Sequence, residues 1–220
     1  MNQDYTKFLT SMLKSMVITD HIRPSEIPDI DLYMDQVTHF MDEHLQKSKR
    51  YEDDKILTKT MINNYAKNKL LPPPEKKRYS KEHMLVLIFI YYYKGFLSLN
   101  DIQSILNPIT DRFFGSDSDF DMENVYEEIY TLISEHIGST AREVMESYHT
   151  ASQTFKDSPK DDQELLQLFS FICLLGFDIY LKKDIIEKMV DRFSQLQENA
   201  DSKAKDKTKE KPKKPSKKAE

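Results

Sequence analysis

Apolar residues recur with a helical period over most of the chain. Tyr5, Phe8, Leu9, Met12, Leu13 and Met16 predict a helix over 3–18. Pro24 and Pro28 break the pattern. Val37, Phe40, Met41 and Leu45 then share one helical face, with Asp29 or Asp31 placed to cap it. After the polar linker LQKSKRYEDDK, a short helix is predicted over 58–68, with Thr58 as its N-cap and Met61, Ile62 and Tyr65 as its inner stripe. Leu70 and Leu71 anchor the exit, and Pro72, Pro73 and Pro74 forbid continuation. Ser80 caps the next helix, apolar on most sides over 83–93, with Glu82 in its first turn and Gly95 at its end. Ser98 and Asp101 form a capping-box pattern for a helix to Leu106, which Asn107-Pro108 ends.

The second half keeps the same period. Met122, Val125, Tyr126, Ile129, Leu132 and Ile133 make one stripe, and Val144, Met145 and Tyr148 a weaker one. Residues 165–181 are apolar nearly all round, which predicts a central buried helix. Ile185, Ile186, Met189, Val190, Phe193 and Leu196 complete the pattern. From Asp201 onward no large apolar residue occurs, so a disordered Lys-rich tail is expected over 199–220. The pattern as a whole predicts an all-α fold.

Composition narrows this further. Four glycines in 220 residues favour helix over a turn-rich β fold. A single cysteine excludes an internal disulfide framework and a cysteine-based zinc cluster. The first residues lack the basic-then-apolar order of a secretory signal. The longest uncharged apolar run, MLVLIFIYYY, falls short of the roughly 20 residues a membrane span needs. These features read as a soluble cytoplasmic protein without a membrane segment.

Charge changes the picture. The net charge is −5, yet residues 47–81 carry eleven Lys/Arg against four Asp/Glu, and 201–220 carry nine Lys against four acids. The remainder is therefore strongly acidic, at −17. A basic stretch on an acidic body points to a binding surface for a polyanion; the plain alternative is solvated surface charge. A short helix can enter the major groove, so Asn63 and Asn64 could read bases while Lys59, Lys67 and Lys69 neutralise phosphates, with Thr60 among the DNA-binding residues of the same helix. The turn PPPEKKRY, with Lys76, Lys77 and Arg78, could lie on the backbone as a wing does. Tyr65 and Tyr79 would pack helix against wing and could offer a hydroxyl to phosphate.

Other candidate chemistry is weak. His39 and His44 are five residues apart and do not share a helix face. Cys173, within FSFICLLGF, reads as a small core residue. DSDFDMENVYEE imitates a calcium loop but has Met122 where the sharp turn needs Gly, so it reads as an acidic helix start. No Gly-rich phosphate loop or catalytic constellation stands out. No enzyme activity, cofactor or metal is expected.

The segment LTKTMINNYAKNKLLPPPEKKRYSKEHMLVLIFIYYYKGFLSLNDIQSIL resembles the winged helix-turn-helix of MerR-type regulators. Ile62-Asn63-Asn64-Tyr65 matches their recognition helix, Leu70-Leu71-Pro72 the exit, Arg78-Tyr79-Ser80 the wing, and Gly95-Phe96-Leu97-Ser98-Leu99 the turn into the last helix. The chain departs from that pattern in having Asn63 where Arg is usual and Lys69 where Gly is usual, and it lacks their long dimerising coiled coil. IPDIDLYMDQVTHFMDEHL and LTKTMINNYAKNKLLPPP are similar to an uncharacterised bacterial domain-of-unknown-function family, numbered eighteen thirty-six, over about residues 20–180. The MerR resemblance implies a transcriptional regulator that binds double-stranded DNA, as a homodimer, with an unidentified small-molecule effector. The alternative is a non-enzymatic protein-interaction adaptor on a helix-turn-helix scaffold. Four parts are expected: an N-terminal helix and linker (1–30), a MerR-like DNA-binding region (31–108), a helical bundle for dimerisation or effector binding (109–198), and the tail (199–220).

Overall fold

The computed structural model describes residues 3–19 and 22–209, with side chains for 4–15 and 22–197. The fold is mainly helical. The helices are α1 (Gln3–Thr19), α2 (Met34–Leu45), α3 (Lys59–Lys67), α4 (Lys81–Tyr93), α5 (Leu99–Phe113), α6 (Met122–Ala151) and α7 (Lys160–Lys209). Two two-residue strands, β1 (Leu32–Tyr33) and β2 (Arg78–Tyr79), pair antiparallel with Leu32 opposite Tyr79.

Local capping chemistry sets most boundaries. Thr58 Oγ1 accepts from the Met61 amide at 3.2 Å and starts α3. Ser98 Oγ accepts from the Asp101 amide at 3.2 Å, and the Asp101 carboxylate accepts from the Ser98 amide, so the reciprocal box opens α5. Asp121 caps α6 through the Glu123 and Asn124 amides, so the acidic stretch around it is a helix start. The α2 cap differs from expectation. Neither Asp29 nor Asp31 is used; β1 runs directly into the helix, and the Gln36 side chain accepts from the Tyr33 amide at 2.9 Å.

α4 is the central helix. His83, Met84, Leu85, Val86, Leu87, Ile88 and Ile90 are all buried. Around it Val37, Met41, Ile62, Leu71, Ile102 and Met122 close the main core. Tyr126, at the start of α6, ends that core, donating its hydroxyl to the Ile22 carbonyl at 2.7 Å. A second, smaller core lies at the far end of the α6–α7 hairpin, where Leu9 of α1 meets Tyr148, Ala151 and Phe171.

Several expectations are corrected. α5 does not stop at Asn107-Pro108 but continues to Phe113. Pro108 removes one helical amide, yet Ile102, Leu106 and Thr110 keep one face buried across it, and that packing outweighs the local penalty. The expected boundary at 108 therefore falls inside a helix. α7 is not the central buried helix. Between Leu165 and Leu181 most large side chains are exposed, because α6 and α1 cover only one of its sides. Cys173 is exposed for the same reason. α7 is also long and apolar enough to cross a membrane by length and composition, with an 18-residue window of mean hydropathy 1.6. Counting only uninterrupted apolar runs concealed it, because Gln167 and Asp178 divide the sequence. α7 continues to Lys209, since no Gly or Pro occurs between Ser194 and Pro212 to stop it. The rest of the expected tail, 210–220, lies outside the described residues. The 30- and 50-residue helices α6 and α7 also supply a long helical hairpin where none was expected.

Candidate nucleic-acid interface

α3 is anchored from beneath and open above. Ile62 and Tyr65 are buried, while Lys59, Thr60, Asn63, Asn64 and Lys67 are exposed. The helix ends in a Schellman motif. The Leu70 amide donates to the Tyr65 carbonyl at 2.9 Å and the Lys69 amide to the Ala66 carbonyl at 3.2 Å. Burial of Leu70 and Tyr65 supplies the apolar pair that accompanies this motif. Lys69 occupies the left-handed position, with φ +59°, where Gly is usual. It is exposed beside a cleft lined by Pro72, Pro73, Asn107 and Asp111.

After the three prolines the chain makes a two-residue hairpin. The Arg78 amide donates to the Glu75 carbonyl at 2.8 Å, and Lys76 and Lys77 form the tip with φ +48° and +64°. Positive φ at both central residues defines a type I′ turn, which normally selects Asn-Gly. Two lysines hold it here.

The segment from Asp31 to Asp35 fixes hairpin and helix to each other. Lys59 at the start of α3 pairs with Asp35, and Arg78 Nε at the base of the hairpin lies 4.0 Å from Asp31. Asp31 and Asp35 are four residues apart, about 13 Å at full extension. The first turn of α3 and the base of the hairpin thus flank one short stretch of chain. Lys67, Lys69, Lys76 and Lys77 form no salt bridge among the described residues.

Tyr65 and Tyr79 are brought near this surface but not onto it. Both rings are buried, and burial raises both hydroxyl pKa values. They are packing residues, since such buried rings present no surface to a phosphate. Tyr79 meets the His83 ring edge to face at 5.5 Å, and Phe114 meets the other side at 4.7 Å. His83 Nδ1 accepts from the Ser80 amide at 3.0 Å, while its Nε2 is buried without a hydrogen-bond partner. Burial pushes its pKa down, against the opposing influence of the Pro73 and Pro72 carbonyls, Asp31 and Glu75. The imidazole thus packs between Tyr79 of the hairpin and Phe114 at the end of α5. Sequence reasoning missed this residue; its place three after the Ser80 cap was the available signal.

The connection between α2 and α3 is longer than a helix-turn-helix turn of 3–4 residues. It spans 46–58, with Ile56 and Leu57 buried and Lys94 donating to the Ile56 carbonyl.

The architecture defines a mainly helical protein that presents an exposed short basic helix beside a basic hairpin. Residues 22–129 match the family model described as Domain of unknown function (DUF1836), and that segment belongs to the family. This is narrower than the 20–180 span of the expected resemblance. It coincides with the main core, whose last members are Met122 and Tyr126. No curated protein and no solved structure shows a significant match to the chain.

Proposed function

We propose that this protein binds duplex DNA through α3 and the 75–78 hairpin, as a MerR-like transcriptional regulator. In this reading Asn63 and Asn64, with Thr60, face base edges, and Lys67, Lys69, Lys76 and Lys77 neutralise phosphates. Lys59 and Arg78 join them after exchanging Asp35 and Asp31 for phosphate.

One observation carries the reading. Lys69, Lys76 and Lys77 all sit at positive φ in or beside this surface. Left-handed backbone costs a residue with a Cβ about 1–2 kcal/mol, which Gly avoids. Strain of that kind is retained where the side chain has a task. Three unpaired cations kept in strained positions, beside two exposed asparagines, fit a polyanion.

The test is binding of the full chain to genomic fragments across a salt series. Replacing Lys76, Lys77 and Arg78 together with Ala should weaken binding and reduce the slope of log K against log salt by about 0.9 per contact removed. An unchanged slope would remove the hairpin from the reading.

A second reading has its own support. Asp31 and Asp35 sit beside the patch, and the −17 remainder of the chain would repel DNA elsewhere. Both suit an adaptor that recognises a protein. A partner that survives nuclease treatment in a pull-down would favour that reading.

A further inference from the structure

One ammonium in the family segment lacks a counter-charge. Lys94, just past the end of α4, is half-buried, and its Nζ donates to the Ile56 carbonyl. It also lies over the Tyr91 ring, 4.8 Å from the centroid. It forms no salt bridge among the described residues. A carbonyl and a ring face offer partial charge only, whereas a cation withdrawn from water is ordinarily paired. Burial accordingly pushes the Lys94 pKa down.

Lys94 lines a cavity of about 540 Å³ between the 46–58 connection and the end of α4. The connection is pinned there, because Ser48 Oγ donates to the Leu45 carbonyl at 2.6 Å and bonds to the Tyr91 hydroxyl. Lys49 and Lys55 line the same space. Lys49 is paired with Asp42 at 2.7 Å. Asp54 also lines the cavity, but its Oδ2 is engaged by the Arg50 and Tyr51 amides at 3.1 and 3.0 Å. Three lysines against Asp42 and Asp54 leave one positive charge. The lining is thus rich in donors and short of free acceptors.

Charge, size and surface together set the class of ligand. One positive charge is matched by one carboxylate, whereas a phosphate monoester carries about −1.5 to −2 at pH 7. The volume lies within the range of about 300–1,000 Å³ typical of sites for organic ligands, more than an inorganic ion fills. The half-buried rings of Tyr91 and Tyr92 place apolar surface beside the cation. We propose that this cavity binds a small organic carboxylate, its head on Lys94 and Lys55 and its apolar body on the two tyrosines. The site lies apart from 109–198, the region expected from sequence to bind an effector. The inference does not rest on the DNA reading.

Lysine footprinting tests it on the full chain. Trace acetic anhydride labels the lysines, and mass spectrometry maps the rate at each. Benzoate, with one carboxylate and one ring, should slow the labelling of Lys94 several-fold relative to the same concentration of sodium chloride. Lys67, which does not line the cavity, should label at an unchanged rate. Benzyl alcohol, the same ring without the charge, should protect neither. By calorimetric titration Lys94→Met should abolish benzoate binding. Because that change also removes the bond to Ile56, Lys55→Met supplies a variant at an exposed side chain. It should keep its helicity by circular dichroism and bind benzoate several-fold more weakly. Equal labelling of Lys94 with and without millimolar benzoate, or unchanged benzoate affinity in both variants, would overturn the proposal. So would stronger protection by inorganic phosphate than by benzoate, or protection by duplex DNA with none by benzoate, which would assign Lys94 to a nucleic-acid backbone.

Discussion

At the scale of single residues, charge and backbone geometry oppose each other at three lysines. If Lys69, Lys76 and Lys77 are kept for their cations, replacing each with Gly separates the two effects. The left-handed strain disappears, and part of that gain is offset by the greater freedom of Gly in the unfolded chain. Each Lys→Gly variant should therefore gain about 0.5–1 kcal/mol in urea unfolding, while DNA affinity falls. A variant that loses stability would show that the side chain packs, and the functional argument at that position would fail. His83 supplies a second residue-level test. Burial holds its folded pKa below the ordinary 6.5, so in acid the unfolded chain binds the proton more readily than the folded one. Stability is then fully present above 6.5 and falls as pH drops from 6.5 towards the folded value. Glu82 works in the opposite sense, because burial raises its pKa and its protonation favours the folded chain. His83→Gln keeps an acceptor for the Ser80 amide but cannot titrate. It should flatten the decline in thermal midpoint below pH 6.5, and an unaltered decline would show that other groups produce it.

At the scale of elements, what could be read from sequence was what local chemistry decides. Thr58, Ser80, Ser98 and Asp121 start helices because each cap is settled within four residues. The inner stripes of α2 and α3 follow from period alone, and Val37, Phe40, Met41, Leu45 and Ile62 are buried where the period places them. The failures are non-local. Pro108 looked like a stop because its cost is local, whereas the packing that outweighs it comes from partners distant in sequence. β1 was invisible because a two-residue strand has no period, and its existence depends on Arg78 and Tyr79 arriving opposite it. The hairpin tip carried no turn signal, since Lys-Lys stands where Asn-Gly would announce a type I′ turn. For the candidate site, composition identified the cations and period showed Asn63 and Asn64 facing outward. Neither could show that Asp31 and Asp35 tether Lys59 and Arg78, or that His83 holds the hairpin to α5.

At the scale of the whole molecule, the matched family segment divides the chain into a body and an extension made of most of α6 and α7. The body, 22–129, contains every buried member of the main core, while Tyr130 of α6 and Ile186 of α7, both half-buried, pack against it from outside that segment. Burying one such side chain fully is worth about 1.5–3 kcal/mol, so losing two half-buried ones should leave the isolated segment less stable by about 1.5–3 kcal/mol. If DNA is engaged through α3 and the 75–78 hairpin, both inside 22–129, the segment keeps every proposed phosphate contact. It should then bind the same fragments with the same slope of log K against log salt as the full chain. Anisotropy titrations of segment and full chain on one DNA measure both quantities, and circular dichroism checks that the segment is folded. A folded segment with a shallower slope would mean that cations outside 22–129 contact the phosphates, and the α3–hairpin surface would no longer account for binding by itself.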